Sequence, residues 1–143
     1  MFVSKLSTTA YALRTAIIAL VLLLAACGGG GRAGYTADQQ IVDGITFMLE
    51  QPQQVKLLQD YQLYLTLTDA GGKPIDAATV FMEQDMATMP MTSNQPLGEP
   101  LGNGQYRIAG VFTMEGEWQL VVHAKIGDKE SKAIFKQAVS PEP

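Results

Sequence analysis

The hydrophobic pattern of the chain changes character once. Residues 16–26, AIIALVLLLAA, form an unbroken apolar run. From about Ile41 onward, apolar and polar residues alternate instead. In YQLYLTLTD, Tyr61, Leu63, Leu65 and Leu67 fall on one face, and Gln62, Tyr64, Thr66 and Thr68 on the other. That period of two predicts a half-buried strand. EWQLVVHAK repeats it, with Trp118, Leu120, Val122 and Ala124 on one side and Glu117, Gln119, Val121, His123 and Lys125 on the other. Turn-forming clusters punctuate these runs: DAGGKP at 69–74, GNG at 102–104 and IGDKE at 126–130. The pattern predicts strands A 42–50, B 60–68, C 77–84, D 95–100, E 105–112, F 117–126 and G 131–139. No segment sustains a helical period. About seven short strands in this length point to an all-β, immunoglobulin-like antiparallel sandwich over residues 41–140. Trp118 shares a face with apolar neighbours and is expected in the core. Met82 is expected to pack there too, and His123 to face water.

The apolar run lies behind a segment that carries Lys5 and Arg14 and no acid. It is shorter than the roughly 20 residues that span a bilayer as a helix. A basic start, an apolar middle and small residues before a cut site predict an export signal over residues 1–26. The run closes on Leu24-Ala25-Ala26-Cys27, which resembles the lipobox of bacterial lipoproteins. That resemblance implies cleavage before Cys27, a diacylglycerol on its sulfur and an acylated new amino terminus. Cys27 is the sole cysteine of the chain, so an internal disulfide has no second partner. Each buried CH₂ of an acyl chain contributes about 0.8 kcal/mol, and two or more chains anchor stably. The expected location is therefore the extracytoplasmic face of a cell membrane. Residues 27–40, rich in glycine and polar side chains, read as a flexible tether.

Charge narrows the function classes. The whole chain carries −4, and loss of Lys5 and Arg14 with the leader leaves eight bases against 14 acids, a net −6. Nucleic-acid binding needs basic patches, so that class is set aside. Catalysis has little to draw on. There is one histidine, and downstream of Cys27 the only serines are Ser93, Ser131 and Ser140, none with a base at a recognisable spacing. The acid pairs Glu83/Asp85 and Glu115/Glu117 read as solvated strand ends. The expectation is a protein that is not an enzyme and carries no organic cofactor.

The segment DMATMPMTS places Met86, Met89 and Met91 within six residues. Thioethers are soft ligands suited to Cu(I), and they are also adaptable packing and contact groups. In an up-and-down succession of strands, alternate loops share one end. The C–D loop with Met86, Met89 and Met91 should then meet the E–F hairpin with Met114. Three readings stay open: a Cu(I) or other soft-metal site, a surface that docks a membrane transporter or respiratory assembly partner, and a structural cap over the core. A reversible oxidant sink is a further use of the same sulfurs.

GKPIDAATV, the methionine segment and GNGQYRIAGVFTMEGEWQLVV together resemble the YtkA-like domain. The matching pieces are Gly72-Lys73-Pro74, Met86/Met89/Met91, Gly104-Gln105-Tyr106 and Met114-Glu115-Gly116-Glu117-Trp118, within Asp43 to Val139. The resemblance implies a small exported β-sandwich, often lipid-anchored, without a settled activity. In outline it is similar to CopC-type copper-resistance sandwiches, whose Met-rich loops hold Cu(I). The chain departs from those in lacking their amino-terminal histidine and the histidine cluster used for Cu(II).

Overall fold

The computed structural model describes residues 31–86, 88 and 94–141. Their regular structure is entirely strand: β1 Tyr35–Val42, β2 Ile45–Pro52, β3 Asp60–Thr68, β4 Thr79–Met86, β5 Glu99–Gly102, β6 Gln105–Val111, β7 Gly116–Ile126 and β8 Lys129–Val139. Two antiparallel sheets face each other, one in the order β1-β2-β3-β6-β5 and the other β4-β7-β8. With β1 set aside, strands A, B, E and D lie in one sheet and C, F and G in the other, the arrangement of an immunoglobulin constant-type sandwich.

The alternation that marked the strands is what builds the core. Leu63, Leu65 and Leu67 of β3 and Phe47 and Leu49 of β2 bury completely against Met82, Leu120 and Val122 of the facing sheet. Trp118 is buried as expected, its ring tilted against Phe112 at 5.2 Å. Removing this apolar surface from water supplies the main driving force for folding, roughly 25 cal/mol per Å².

Two boundaries differ from the sequence expectation. The tether expected over 27–40 ends early, because Tyr35–Val42 forms β1, and the expected strand A at 42–50 is the second arm of a hairpin. The turn between them is Asp43-Gly44, both with positive φ (52° and 78°), a pairing suited to a two-residue hairpin. β1 stays hidden in the pattern because its side chains are mostly exposed. Backbone pairing with β2 holds it, and so does a side-chain clasp across the sandwich: the Gln40 amide donates to the Ile134 carbonyl and accepts from the Ile134 N–H at 3.1 Å. Gln51 Nε2 likewise donates to the Lys136 carbonyl at 3.0 Å. These amides satisfy edge groups of β8 that would otherwise invite another strand. The second difference is strand D, expected at 95–100. Residues 96–98 instead run along the free edge of β4, through Met82 N to Pro96 O and Gly98 N to Val80 O, and β5 begins at Glu99.

Candidate functional site

Strand register decides which connections share an end. Asp60 lies opposite Val111, Met86 opposite Trp118, and Gly116 opposite Val139. The connection 53–59, the end of β4 and the connection 112–115 therefore meet at one end of the sandwich, here the loop end. Two bonds tie it together: Leu58 N–H donates to the Phe112 carbonyl at 2.9 Å, and Lys56 bridges to Ser140. The opposite, turn end carries Asp43-Gly44, the 69–78 connection, Asn103-Gly104 and Gly127-Asp128.

Of the predicted site residues, Met86 and Met114 come to the loop end. Met86 is buried in the core cluster, and Met114 packs half-buried against it. A Cβ built on Gly116 would lie 2.9 Å from Met86 Cε, the flexible tip of that side chain, so a larger residue there would have to displace it. Gly116 also adopts φ +127°. Trp118 Nε1 donates to the Met114 carbonyl at 3.0 Å, fixing the hairpin to the core. The Met-x-Gly-x-Trp spacing thus has a local reason: the tryptophan clamps the turn, the glycine clears the methionine below, and the turn presents Met114. Met89 and Met91 lie outside the described residues, as does Cys27.

The same end holds a residue the pattern did not reveal. Leu58 is 68% exposed and adopts φ +58°, a conformation that is strained for a bulky residue. Beside it a recess of about 440 Å³ is lined by Tyr35, Pro52, Val55, Lys56, Asp60 and Tyr61. Tyr61 stacks on Phe112 at 4.4 Å and accepts a hydrogen bond from Gln84 Nε2. Burial pushes the Tyr61 phenol well above its ordinary range, with the Gln84 bond opposing. No hydropathy signal marks a positive φ on leucine, so Leu58 was beyond reach of the sequence.

His123 corrects the expectation of a solvent-facing imidazole. Its parity is outward as expected, yet it is only 5% exposed. The reason lies in its neighbours. β7 is the central strand of its sheet, and Phe81, directly opposite on β4, stacks over the ring at 4.3 Å. Nδ1 meets Glu130 Oε1 at 2.8 Å, while Nε2 faces Glu83 Oε2 at 3.4 Å without a protein hydrogen bond. The cluster sits about 24 Å from the loop end, seven residues along β7 from Gly116. Among the described residues, no group of three or more His, Cys, Asp or Glu is arranged to hold a metal ion.

A sandwich with this sheet order and this hairpin defines a class of small β-domains. Within that class, the YtkA-like family model matches residues 39–123, more than half of the chain, and the chain belongs to that family. The match runs from within β1 to His123 and includes two of the glycine turns noted in the sequence, with Gly72 (φ 81°) and Gly104 (φ 72°). At Gly104 the need for glycine is doubled, since its φ is positive and a Cβ would run into the Leu67 carbonyl oxygen and press on Ile75 N and Pro74 Cβ at 3.1 Å. No curated protein matches the chain.

Proposed function

We propose that this YtkA-like chain is a lipid-anchored, extracytoplasmic binding module, held through Cys27, that takes Cu(I) at its loop end and carries out no catalysis. The observation that carries this reading is the shared end of Met86 and Met114, with the Trp118 indole holding the Met114 turn in place. Met89 and Met91 follow Met86 in the sequence by only three and five residues. Met86 itself packs inward, and Met114 lies half-buried beside it; we take Met89 and Met91 as the further donors. A thioether set without imidazole or thiolate favours Cu(I) over Zn(II) or Cu(II).

Competition for Cu(I) against a chromogenic chelator tests the reading. The wild type should withdraw the ion, and the double variant Met89→Leu/Met91→Leu should not, while keeping its thermal midpoint, since Leu and Met have similar volumes. Normal Cu(I) binding by the double variant would remove the methionine segment from the site. A second reading, a docking surface for a membrane transporter or respiratory assembly partner with no metal, draws on the exposed, strained Leu58 at the same end.

A further inference from the structure

The outer face of the three-stranded sheet holds a buried imidazole with a carboxylate on either side. His123 lies on the central strand β7, between Glu83 of β4 and Glu130 of β8. An ionised carboxylate only accepts hydrogen bonds, so the 2.8 Å contact between Nδ1 and Glu130 Oε1 places a proton on Nδ1. Nε2 then turns its lone pair toward Glu83 Oε2, 3.4 Å away, and this buried nitrogen has no hydrogen-bond partner in the protein. Two acceptors facing each other repel, and a buried polar atom left in this way calls for something between them. A proton on Nε2 fits the spacing poorly, since charge-assisted N–H to carboxylate pairs close to about 2.7–2.9 Å. A zinc ion fits it well. With Zn–N and Zn–O bonds of about 2.0–2.2 Å at a tetrahedral angle, the two donors stand about 3.4 Å apart.

Both donors are held at that spacing by their neighbours. Gln95 Nε2 donates to Glu83 Oε1 at 2.9 Å, which leaves Oε2 turned toward the ring. Phe81, stacked at 4.3 Å, fixes the plane of the imidazole. Glu130 sets the tautomer and raises the basicity of Nε2, as outer-shell carboxylates do for zinc-bound histidines. We infer that His123 Nε2 and Glu83 Oε2 form a Zn(II) site, with Glu130 and Gln95 as positioning residues and water completing the tetrahedron. The Glu83 side chain is 37% exposed, so water reaches the open positions. Imidazole with carboxylate suits Zn(II) better than Cu(I), which takes soft sulfur, or Mg(II) and Ca(II), which take oxygen. Lys132, opposite His123, and Lys125, opposite Glu130, share this face. Both are exposed, and their long stems let the ammonium groups move aside. The site stands apart from the thioethers of the loop end and does not depend on them or on the anchor.

The test uses the full chain in detergent, free of any added histidine tag and isotope-labelled at the histidine nitrogens. His123 is the sole histidine of the chain, so both ring nitrogens are read by NMR without ambiguity. Titration with Zn(II) at constant neutral pH should shift Nε2 strongly while Nδ1 keeps its proton. Glu83→Gln should weaken binding at least about tenfold. Glu130→Gln, whose amide donates as well as accepts, should mix the two ring tautomers before zinc is added and weaken binding about tenfold. Asp85→Asn removes the same charge from the same strand face without removing a donor, and should change affinity less than about threefold. These near-isosteric changes lie at positions that are exposed or half-buried, so the fold is kept. No shift of Nε2 with excess Zn(II), a response to pH that zinc does not alter, a shift at Nδ1 in place of Nε2, or equal weakening by Asp85→Asn and Glu83→Gln would each overturn the inference.

Discussion

At the turn end of the sandwich, Asp69 Oδ1 accepts from the N–H groups of Gly71 and Lys73, Asp76 Oδ1 accepts from Gly104, and the Tyr106 hydroxyl donates to the Ile75 carbonyl while accepting from Ala78. Positive φ at that end falls on glycine, aspartate or asparagine. The loop end is tied by Leu58 N–H to the Phe112 carbonyl, Gln53 N–H to the Gly34 carbonyl and the Lys56–Ser140 bridge, and it holds a leucine at φ +58° and a glycine laid over a buried methionine. One end satisfies local rules throughout. The other breaks them at Leu58 and brings Met86 and Met114 together. Local conflict of this kind concentrates at working surfaces, which is why the loop end is taken as the one that binds.

The largest expected effect removes the clamp between the loop end and the core. Trp118→Ala should destabilise the domain by about 3–5 kcal/mol, as for large core aromatics, read as a lower urea midpoint. A change below about 1 kcal/mol would mean that Trp118 does not hold this end. At the turn end, Gly104→Ala meets both a left-handed backbone and crowding by Pro74 and Ile75, and should cost about 2 kcal/mol or more. Gly127→Ala, left-handed but in open space, should cost about 1 kcal/mol. Equal losses at the two glycines would show that crowding is not what fixes the 104 turn.

These elements also show how far the sequence reaches. β3 and β7 were legible because one face of each meets the core, and alternation records that contact directly. β1 was not, because its side chains are mostly solvated and its hold comes from backbone pairing and the Gln40 clasp, neither of which leaves a hydropathy trace. The Asp43-Gly44 turn falls within the strand expected over 42–50, where no break in the alternation marks it. For His123 the parity was right and the cover was missed, since Phe81 is aligned with it only through the β4–β7 register. At the loop end, the parity of the connections correctly placed Met114 with the end of β4. The strain at Leu58 and the nearness of the tether required coordinates.

Two smaller effects sharpen the contrast between the ends. Burial raises the Tyr61 phenol above its unfolded value near 10, so its contribution to stability is fully present below about pH 10 and is lost as pH rises further. Tyr61→Phe should flatten the alkaline fall in stability, leaving the shares owed to Tyr35 and to Tyr106 at the turn end, whose phenols are also raised by burial. An unchanged alkaline profile would exclude Tyr61 as a source. Smallest of all, Leu58→Asn should raise stability by about 0.5–1 kcal/mol by relieving the left-handed leucine. Destabilisation there would show that Leu58 serves packing rather than contact.

The central claim, that the loop end is where this module binds and that its thioethers take the ligand, is tested most directly by methyl NMR of the methionines during a Cu(I) titration. The account predicts shifts at Met89, Met91 and Met114, a smaller one at buried Met86, and none at Met82 in the core or Met48 on the outer face of the five-stranded sheet. Shifts confined to Met48, or no shift at any methionine with excess Cu(I), would contradict it.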